Sequence, residues 1–224
     1  MSPKPLVILV HEIYGVNSHM KKMGRLIKMA GYDVLTPNLL GEDEVYTLQE
    51  EKTAYEQFTK HERLKTGETI IQNLIRQNAG RHIFVIGFSV GATIAWKCSS
   101  MPEVSGSVCY YGSRIRDSLH HVPACPVLLF FPNYEPSFNV ALLIKKLREK
   151  QHTHLEIYQF DALHGFANPD SVYFNRALFF KTLSIIKNGA EKKAPPCFFR
   201  NFLIAYSALL SRVLVSYVPC SLLH

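Results

Sequence analysis

Apolar and polar positions along the chain change period repeatedly, and the changes predict strands and helices in alternation. Runs rich in branched and aromatic residues, each bounded by turn-forming residues, predict buried β-strands. These runs are residues 6–10, 32–36, 81–86, 106–112, 126–131 and 154–160. The last run alternates more than the others, which predicts a less buried strand near an edge of the sheet. Strands alternating with helices favour right-handed crossovers and a mainly parallel six-stranded sheet covered by helices on both faces.

Capping residues and apolar spacing set the expected limits of the helices. The first helix is predicted to begin after Asn17 or Ser18 and to close at Gly31. Residues 38–60 are polar and weakly patterned, which predicts a loop or mobile cap containing some helix. A final helix is predicted to begin around Asp170, because aromatic and aliphatic residues follow it at helical spacing.

A change of composition near the end of the chain predicts a domain and a tail. The chain has 224 residues, of which 47% are apolar and 19% charged, so a single domain with a sizeable core is expected. We place this domain at residues 1–188 and an atypical hydrophobic tail at 189–224, beginning with a linker. Residues 202–218 barely reach the length of a membrane span and contain Arg212, so the sequence does not favour membrane anchoring.

Charge and cysteine usage narrow the classes of protein further. The net charge is +7, but the lysines and arginines are scattered and no basic tract is interleaved with aromatic residues. Nucleic-acid binding is therefore not indicated. The five cysteines show no metal-type spacing, and an odd, irregular set is typical of reduced thiols in the cytosol. With no signal-peptide pattern at the N-terminus, a cytoplasmic protein is predicted.

The strongest chemical signal is Gly-Phe-Ser-Val-Gly at residues 87–91, which fits Gly-x-Ser-x-Gly. It follows a predicted buried strand and precedes a helix-compatible segment, the context of a nucleophile elbow. In such an elbow Ser89 lies at the tip of a strained turn, and the flanking glycines leave room for the neighbouring strand and helix. The simpler interpretation is a strand-to-helix turn that happens to contain a serine.

A serine hydroxyl needs a base to take its proton and an acid to orient that base. On this topology the chain order is serine, acid, histidine, each at the end of a strand. Of the ten histidines, His164 follows the sixth predicted strand and is the expected base. Glu135 follows the fifth strand and is the expected acid, with Asp117, past the fourth strand, as a weaker candidate. Asp161, three residues before His164, is expected to serve its own loop instead.

The loop after the first strand begins His11-Glu12 and could be mistaken for a zinc helix. The zinc motif His-Glu-x-x-His needs a histidine at position 15, which is Gly15, so no metal site is predicted. The backbone N–H of Val90, after the serine, is expected to form an oxyanion hole together with one N–H of this loop, for which Ile13 is the candidate.

Four blocks in consistent order resemble the dienelactone hydrolase family. They are Val-His-Glu-Ile-Tyr-Gly-Val-Asn at residues 10–17, Gly-Tyr-Asp-Val at 31–34, Tyr-Tyr-Gly at 110–112 and His-Gly-Phe-Ala at 164–167. The resemblance spans roughly residues 5–187. It implies an α/β-hydrolase fold, here with a reduced N-terminal hairpin, and hydrolysis of small esters or lactones without a metal or cofactor.

The resemblance also implies roles for individual residues. Ser89, Glu135 and His164 take the triad positions, and Ile13 and Val90 those of the oxyanion amides.

Other matched positions concern the substrate and the resting nucleophile. Glu12 takes the position of a glutamate that contacts the nucleophile in the resting state, and Tyr14 lies beside it in the same block. Well-known members carry cysteine where this chain has Ser89, and commonly aspartate where it has Glu135. An arginine of dienelactone-type members is replaced by Asn168, so an uncharged ester is as plausible a substrate as a carboxylated one.

Two functions follow as hypotheses. The first is a serine hydrolase that cleaves a small-molecule ester or lactone through an acyl-enzyme on Ser89. The alternative is a non-catalytic binding or scaffold protein with the same fold. The sequence predicts neither the specific substrate nor the oligomeric state.

Overall fold

The structure, a computed structural model, describes residues 3–193 and the side chains of residues 3–186. All six predicted strands form, and each pairs with its neighbours in parallel. They are Leu6–Val10 (β1), Asp33–Leu35 (β2), Ile83–Phe88 (β3), Val104–Tyr110 (β4), Val127–Pro132 (β5) and Leu155–Phe160 (β6). The order across the sheet is β2-β1-β3-β4-β5-β6, so the prediction that the sixth strand lies at an edge is confirmed.

Helices connect the strands and cover the sheet. They are Ser18–Met29 (α1), Glu51–Lys60 (α2), Arg63–Gln77 (α3), Val90–Cys98 (α4), Val140–Glu149 (α5) and Arg176–Lys193 (α6). Two short 3-10 turns, Leu48–Glu50 and Ser113–Asp117, complete the described elements. None of the helices in this part of the chain is long and apolar enough to cross a membrane.

Two hydrophobic cores lie on opposite faces of the sheet. Because successive side chains of a strand point to opposite faces, Val7 and Leu9 of β1 enter one core while Leu6, Ile8 and Val10 enter the other. The first core is closed by α1 and α6, and the second by α3, α4 and α5. The prediction of helices on both faces is therefore confirmed, and it explains why β1 and β3 are apolar throughout.

Helix α1 has the ends that the sequence predicts. The Asn17 side chain accepts a hydrogen bond from the Met20 N–H at 3.2 Å and caps the first turn. After the last turn Gly31 adopts φ +95°, a conformation that glycine reaches without strain. Of the two predicted caps, Asn17 is the one used.

The last helix begins about six residues later than the sequence predicts. Helix α6 begins at Arg176 rather than near Asp170, and the Asn175 side chain caps it by accepting the Leu178 N–H at 3.0 Å. Residues 168–175 instead form tight turns, in which the Asn168 side chain accepts the Asp170 N–H at 2.9 Å. Asparagine and serine side chains compete with helical hydrogen bonds in this way.

Helix α6 also continues to Lys193, five residues beyond the predicted boundary at residue 188. The start of the predicted linker therefore lies in a helix. The candidate membrane segment at 202–218 lies outside the described residues, as does the rest of the tail.

Three cysteines, Cys98, Cys109 and Cys125, are free and buried in the described part of the chain. Burial raises the pKa of Cys98 and of Cys125 to about 12, and it raises the pKa of Cys109 well above its usual value. Thiols with such pKa values are protonated at neutral pH and behave as small apolar side chains.

The strand order reverses beside β1, and this places the candidate chemistry. From β1 the chain moves to the edge strand β2, and it then returns to β3 on the other side of β1. In open parallel sheets, ligands bind beyond the carboxyl ends of the strands at such a reversal. The loop after β1 and the turn after β3 both open at this point.

Candidate active site

Ser89 lies in the strained turn between β3 and α4. Its backbone has φ 53° and ψ −115°, a conformation that residues other than glycine rarely adopt. Its N–H donates to the Tyr110 carbonyl oxygen of the neighbouring strand at 2.9 Å, which helps to hold the turn. Strain at this position agrees with a nucleophile elbow rather than an ordinary turn.

Both glycines of the pentapeptide are required by close backbone approaches. A Cβ on Gly87 would lie 2.1 Å from the Gly91 carbonyl oxygen at the start of α4. A Cβ on Gly91 would lie 2.4 Å from the carbonyl oxygen of Val10 and 2.5 Å from that of His11, at the end of β1. The glycines therefore make room for the neighbouring helix and strand, as the sequence predicts.

The three residues predicted as a triad meet in the structure. His164 Nε2 lies 3.1 Å from Ser89 Oγ, and His164 Nδ1 lies 2.6 Å from Glu135 Oε1. The carboxylate can only accept, so we assign the ring proton to Nδ1, which leaves Nε2 as acceptor for the serine hydroxyl. Glu135 is buried, whereas the side chain of His164 is 35% exposed and can reach a substrate.

The weaker candidate Asp117 and the loop residue Asp161 lie elsewhere. Asp117 forms ion pairs with Arg114 at 3.5 Å and with Arg116 at 3.7 Å on the 3-10 turn after β4. Asp161 is exposed at the end of β6. Neither has a hydrogen bond to His164 among those that the structure shows, whereas Glu135 has one.

A second buried carboxylate lies close to this group. Glu12 Oε1 accepts a hydrogen bond from the Tyr111 hydroxyl at 3.2 Å, and Glu12 Oε2 accepts one from Asn168 Nδ2 at 2.9 Å. Nδ1 of the fully buried His19 is 3.9 Å from Oε2, within ion-pair range. Burial alone would raise the pKa of Glu12, but contact with His19, the charge of His164 and the Tyr111 hydroxyl together lower it. Glu12 is therefore an anion held inside the protein.

Asn168 is committed to protein atoms at both ends of its amide. Its Nδ2 donates to Glu12, and its Oδ1 accepts the Asp170 N–H, while the residue is 1% exposed. The structure thus places Asn168 behind Glu12, where it fixes that carboxylate instead of presenting an amide at the surface.

Two members of this group were not among the predicted site residues. Tyr111 packs its ring against that of His164 with centroids 4.7 Å apart, and it adopts φ 43° directly after β4. Its place just beyond a strand end is a signal that could have found it. His19 gives no such signal, because on the sequence it is one residue of an amphipathic helix. Within the described residues neither of its ring nitrogens has a hydrogen-bond partner.

His11 holds the loop after β1 in place. Its Nε2 accepts the Leu39 N–H at 2.8 Å, and its Nδ1 contacts the Glu12 carbonyl oxygen, so the proton belongs on Nδ1. Burial lowers the pKa of His11 to about 4, and the ring is neutral at physiological pH. It joins the loop to the segment 38–60 and has no contact with Ser89 among those shown.

The two candidate oxyanion residues lie in adjoining segments. Ile13 and Val90 are buried in one small apolar cluster, closed by Leu40 and by Ala54 and Phe58 of α2. The close approach of Gly91 to the end of β1 brings the backbones of these segments together. The role of the Ile13 and Val90 N–H groups as oxyanion donors stays a prediction. Across residues 3–186, the side chains form no group of three histidines, cysteines or carboxylates that could hold a metal ion.

A parallel sheet in this order, with Gly-x-Ser-x-Gly turning from its third strand into a helix, defines the α/β-hydrolase fold. Residues 1–192 match the family model described as "Dienelactone hydrolase family". The chain therefore belongs to the dienelactone hydrolase family and is a hydrolase of that type, which confirms the resemblance found in the sequence.

Individual proteins similar to this chain include a near-identical relative and solved structures of the same fold. The chain is 96% identical over 193 residues to the "Uncharacterized protein YczH" of Bacillus subtilis (strain 168), covering 86% of this chain and 96% of that one. It is similar in fold to a dienelactone hydrolase-like promiscuous phosphotriesterase, P91, from metagenomic libraries, with TM-score 0.65, 15% identity, and 85% and 87% of the two chains covered. A dienelactone hydrolase from Anabaena variabilis ATCC 29413 gives TM-score 0.56, 15% identity, and 86% and 88% coverage. At these identities the two structures show the fold alone.

Proposed function

We propose that the protein hydrolyses small carboxylic esters or lactones through a Ser89–His164–Glu135 triad. The observation that carries the proposal is the continuous hydrogen-bonded path from Ser89 Oγ through both ring nitrogens of His164 to Glu135. A binding or scaffold protein would have no use for a strained serine aligned with a base and an acid, so this path favours the enzyme.

The geometry supports the following steps. Ser89 Oγ attacks the ester carbonyl carbon while His164 Nε2 takes the hydroxyl proton, and Glu135 stabilises the resulting imidazolium through Nδ1. The N–H groups of Ile13 and Val90 hold the oxyanion. The imidazolium returns its proton to the leaving alcohol, which departs and leaves an acyl-enzyme on Ser89. A water molecule, deprotonated by His164, then attacks the acyl carbon and releases the acid.

Glu12 is proposed to act on this reaction through its charge. It is held by Tyr111 and Asn168 and needs no movement to influence the imidazole. Burial alone would lower the pKa of His164, but its hydrogen bond to Glu135 and the negative charges of Glu135, Glu12 and Glu51 outweigh burial and raise it. Glu12 thus makes His164 a stronger base.

This role predicts a shift in the pH dependence of catalysis. His164 must be neutral to accept the serine proton, so kcat/KM falls as pH decreases through its raised pKa. Glu12→Gln removes one of the charges that raise this pKa and should move the acidic limb of the kcat/KM profile to lower pH. Glu149→Gln serves as the control and should leave the limb in place. Glu149 is exposed and is the last residue of α5, the helix that leads from the carboxyl edge of the sheet back to the start of β6. An acidic limb shared by wild type and Glu12→Gln would contradict the role.

The proposed function is tested with esters and a mechanism-based probe. Purified protein is incubated with a short-chain p-nitrophenyl ester and a small unsubstituted lactone, and separately with a fluorophosphonate. We expect turnover of at least one substrate and covalent labelling at Ser89, located by peptide mass spectrometry. Absence of both turnover and labelling would overturn the proposal and leave the binding protein as the better hypothesis.

A further inference from the structure

Helix α2 covers the carboxyl edge of the sheet beside the proposed site. Its residues Ala54 and Phe58 are buried in the same cluster as Ile13 and Val90. The segment before it is joined to the loop after β1, because the Tyr46 N–H donates to the Tyr14 carbonyl oxygen at 3.0 Å. One face of α2 therefore rests on the two segments proposed to hold the oxyanion.

Glu51 lies on that same face of α2. Positions 51, 54 and 58 are spaced i, i+3 and i+7, which places them on one stripe of a helix. Ala54 and Phe58 are buried under the helix, whereas Glu51, in the first turn, is exposed. Glu51 is thus the exposed residue of a stripe whose buried residues, Ala54 and Phe58, pack beside the site.

Glu51 is one of several carboxylates whose charges act on groups of the site. Glu51 and Glu12 both act on the His164 imidazole, with Glu135. Burial raises the pKa of the half-buried Tyr14 hydroxyl, and the charges of Glu51 and Glu12 raise it further. The carboxylate of Glu51 therefore acts on two groups of the site, the Tyr14 hydroxyl and the His164 imidazole. Asn168 takes the place of the arginine of dienelactone-type members, and its neutral amide is hydrogen-bonded to Glu12.

We propose that Glu51 is a specificity-determining residue and that the enzyme prefers esters carrying a positively charged group, such as a quaternary ammonium, over neutral esters of the same shape, and disfavours esters carrying a carboxylate. This inference rests on the proposed function and adds the class of substrate to it. An exposed carboxylate on the helix that covers the site attracts a cationic substrate and repels an anionic one, and the aromatic ring of Tyr14 is compatible with a cation.

The test uses matched esters that differ only in charge. Acetylcholine, which carries its charge in the alcohol part, is compared with its neutral isostere 3,3-dimethylbutyl acetate. The p-nitrophenyl ester of 4-(trimethylammonio)butanoate, which carries its charge in the acyl chain, is compared with the neutral p-nitrophenyl ester of 5,5-dimethylhexanoate. We expect wild type to show a higher kcat/KM for the cationic member of at least one pair, by about three- to tenfold for one solvent-screened charge. The preference should shrink as salt is added.

Variants of α2 separate Glu51 from the general charge of the protein. Glu51→Gln should reduce the cation preference by most of that factor, and Glu51→Lys should reverse it. Glu56→Gln is the matched control, because Glu56 is also exposed and on α2 but lies about 140° around the helix from Glu51. It removes the same charge and should leave the preference unchanged.

The possible outcomes distinguish this inference from the function beneath it. If wild type hydrolyses none of the four esters and Ser89 is not labelled, the proposed function fails. If it hydrolyses them without a cation preference in either pair, or if Glu56→Gln changes the preference as much as Glu51→Gln does, the enzyme stands and Glu51 is not its specificity determinant. A higher kcat/KM for mono-p-nitrophenyl glutarate, a carboxylated ester added to the acyl series, than for the neutral ester of that series would also overturn the inference.

Discussion

Ser89→Ala is expected to lower kcat by about 10⁴- to 10⁶-fold while the protein remains folded. The substitution removes only the hydroxyl group, whose oxygen lies 3.1 Å from His164 Nε2 in the structure. Without it no acyl-enzyme can form, and only the oxyanion hole and binding remain to promote attack by water. The measurement is kcat on the best ester found, together with the loss of fluorophosphonate labelling.

The control for this variant is another serine next to the same helix. Ser100→Ala removes an exposed hydroxyl that donates to the Lys97 carbonyl oxygen at 2.9 Å, two residues beyond the end of α4. Its kcat should equal that of wild type within experimental error. If Ser89→Ala retained a tenth or more of the activity, Ser89 would not be the nucleophile. The melting temperatures of both variants should stay near that of wild type.

Gly91→Ala is expected to have the largest effect on stability, more than about 4 kcal/mol in the free energy of unfolding. The new Cβ would lie 2.4 Å and 2.5 Å from two carbonyl oxygens at the end of β1. Those oxygens belong to the backbone of Val10 and His11 at the end of the interior strand β1, so no flexible side chain can move to make room. Either the helix or the strand must shift, and the elbow would lose its geometry as well.

Gly24→Ala is the matched control, with an effect of opposite sign. Gly24 is buried in α1, where its Cβ would lie 3.7 Å from Thr36 Oγ1, an ordinary van der Waals distance. Alanine has a better helix propensity than glycine, so this variant should be more stable by about 0.5–1 kcal/mol. Urea unfolding gives both values. Equal unfolding midpoints for Gly91→Ala and wild type would mean that the elbow does not pack against β1 as described.

The main site residues could be predicted from the sequence because they follow from local pattern and chain order. A strand, a Gly-x-Ser-x-Gly turn and a helix occupy consecutive residues, so Ser89 needs no long-range information. His164 and Glu135 each follow a strand, and parallel strands bring their carboxyl ends to one edge of the sheet. The roles of these residues in catalysis stay predictions until the variants above are measured.

The start of α6 could not be predicted, because the apolar spacing continues into residues that make other hydrogen bonds. The spacing of Phe174 and Leu178 fits a helix that begins near Asp170. In the structure the Asn168 side chain and the Ser171 backbone form turns that end only at Asn175. Periodicity reports which residues face the core, but it does not report which polar side chains compete for the backbone.

The sequence by itself determined the order of strands and helices, the elbow and the sequence positions of Ser89, Glu135 and His164, since each depends on residues that are near one another or on the rule that strand ends meet. Only the tertiary structure showed that Tyr111 and Asn168, which lie 99 and 156 residues from Glu12 along the chain, both bind that carboxylate. It also decided that Ala54 and Phe58 form the face of α2 that rests on the site, the helical stripe to which Glu51 belongs. Such contacts join distant segments through packing, and no local pattern encodes which charged groups the folded chain will bring together.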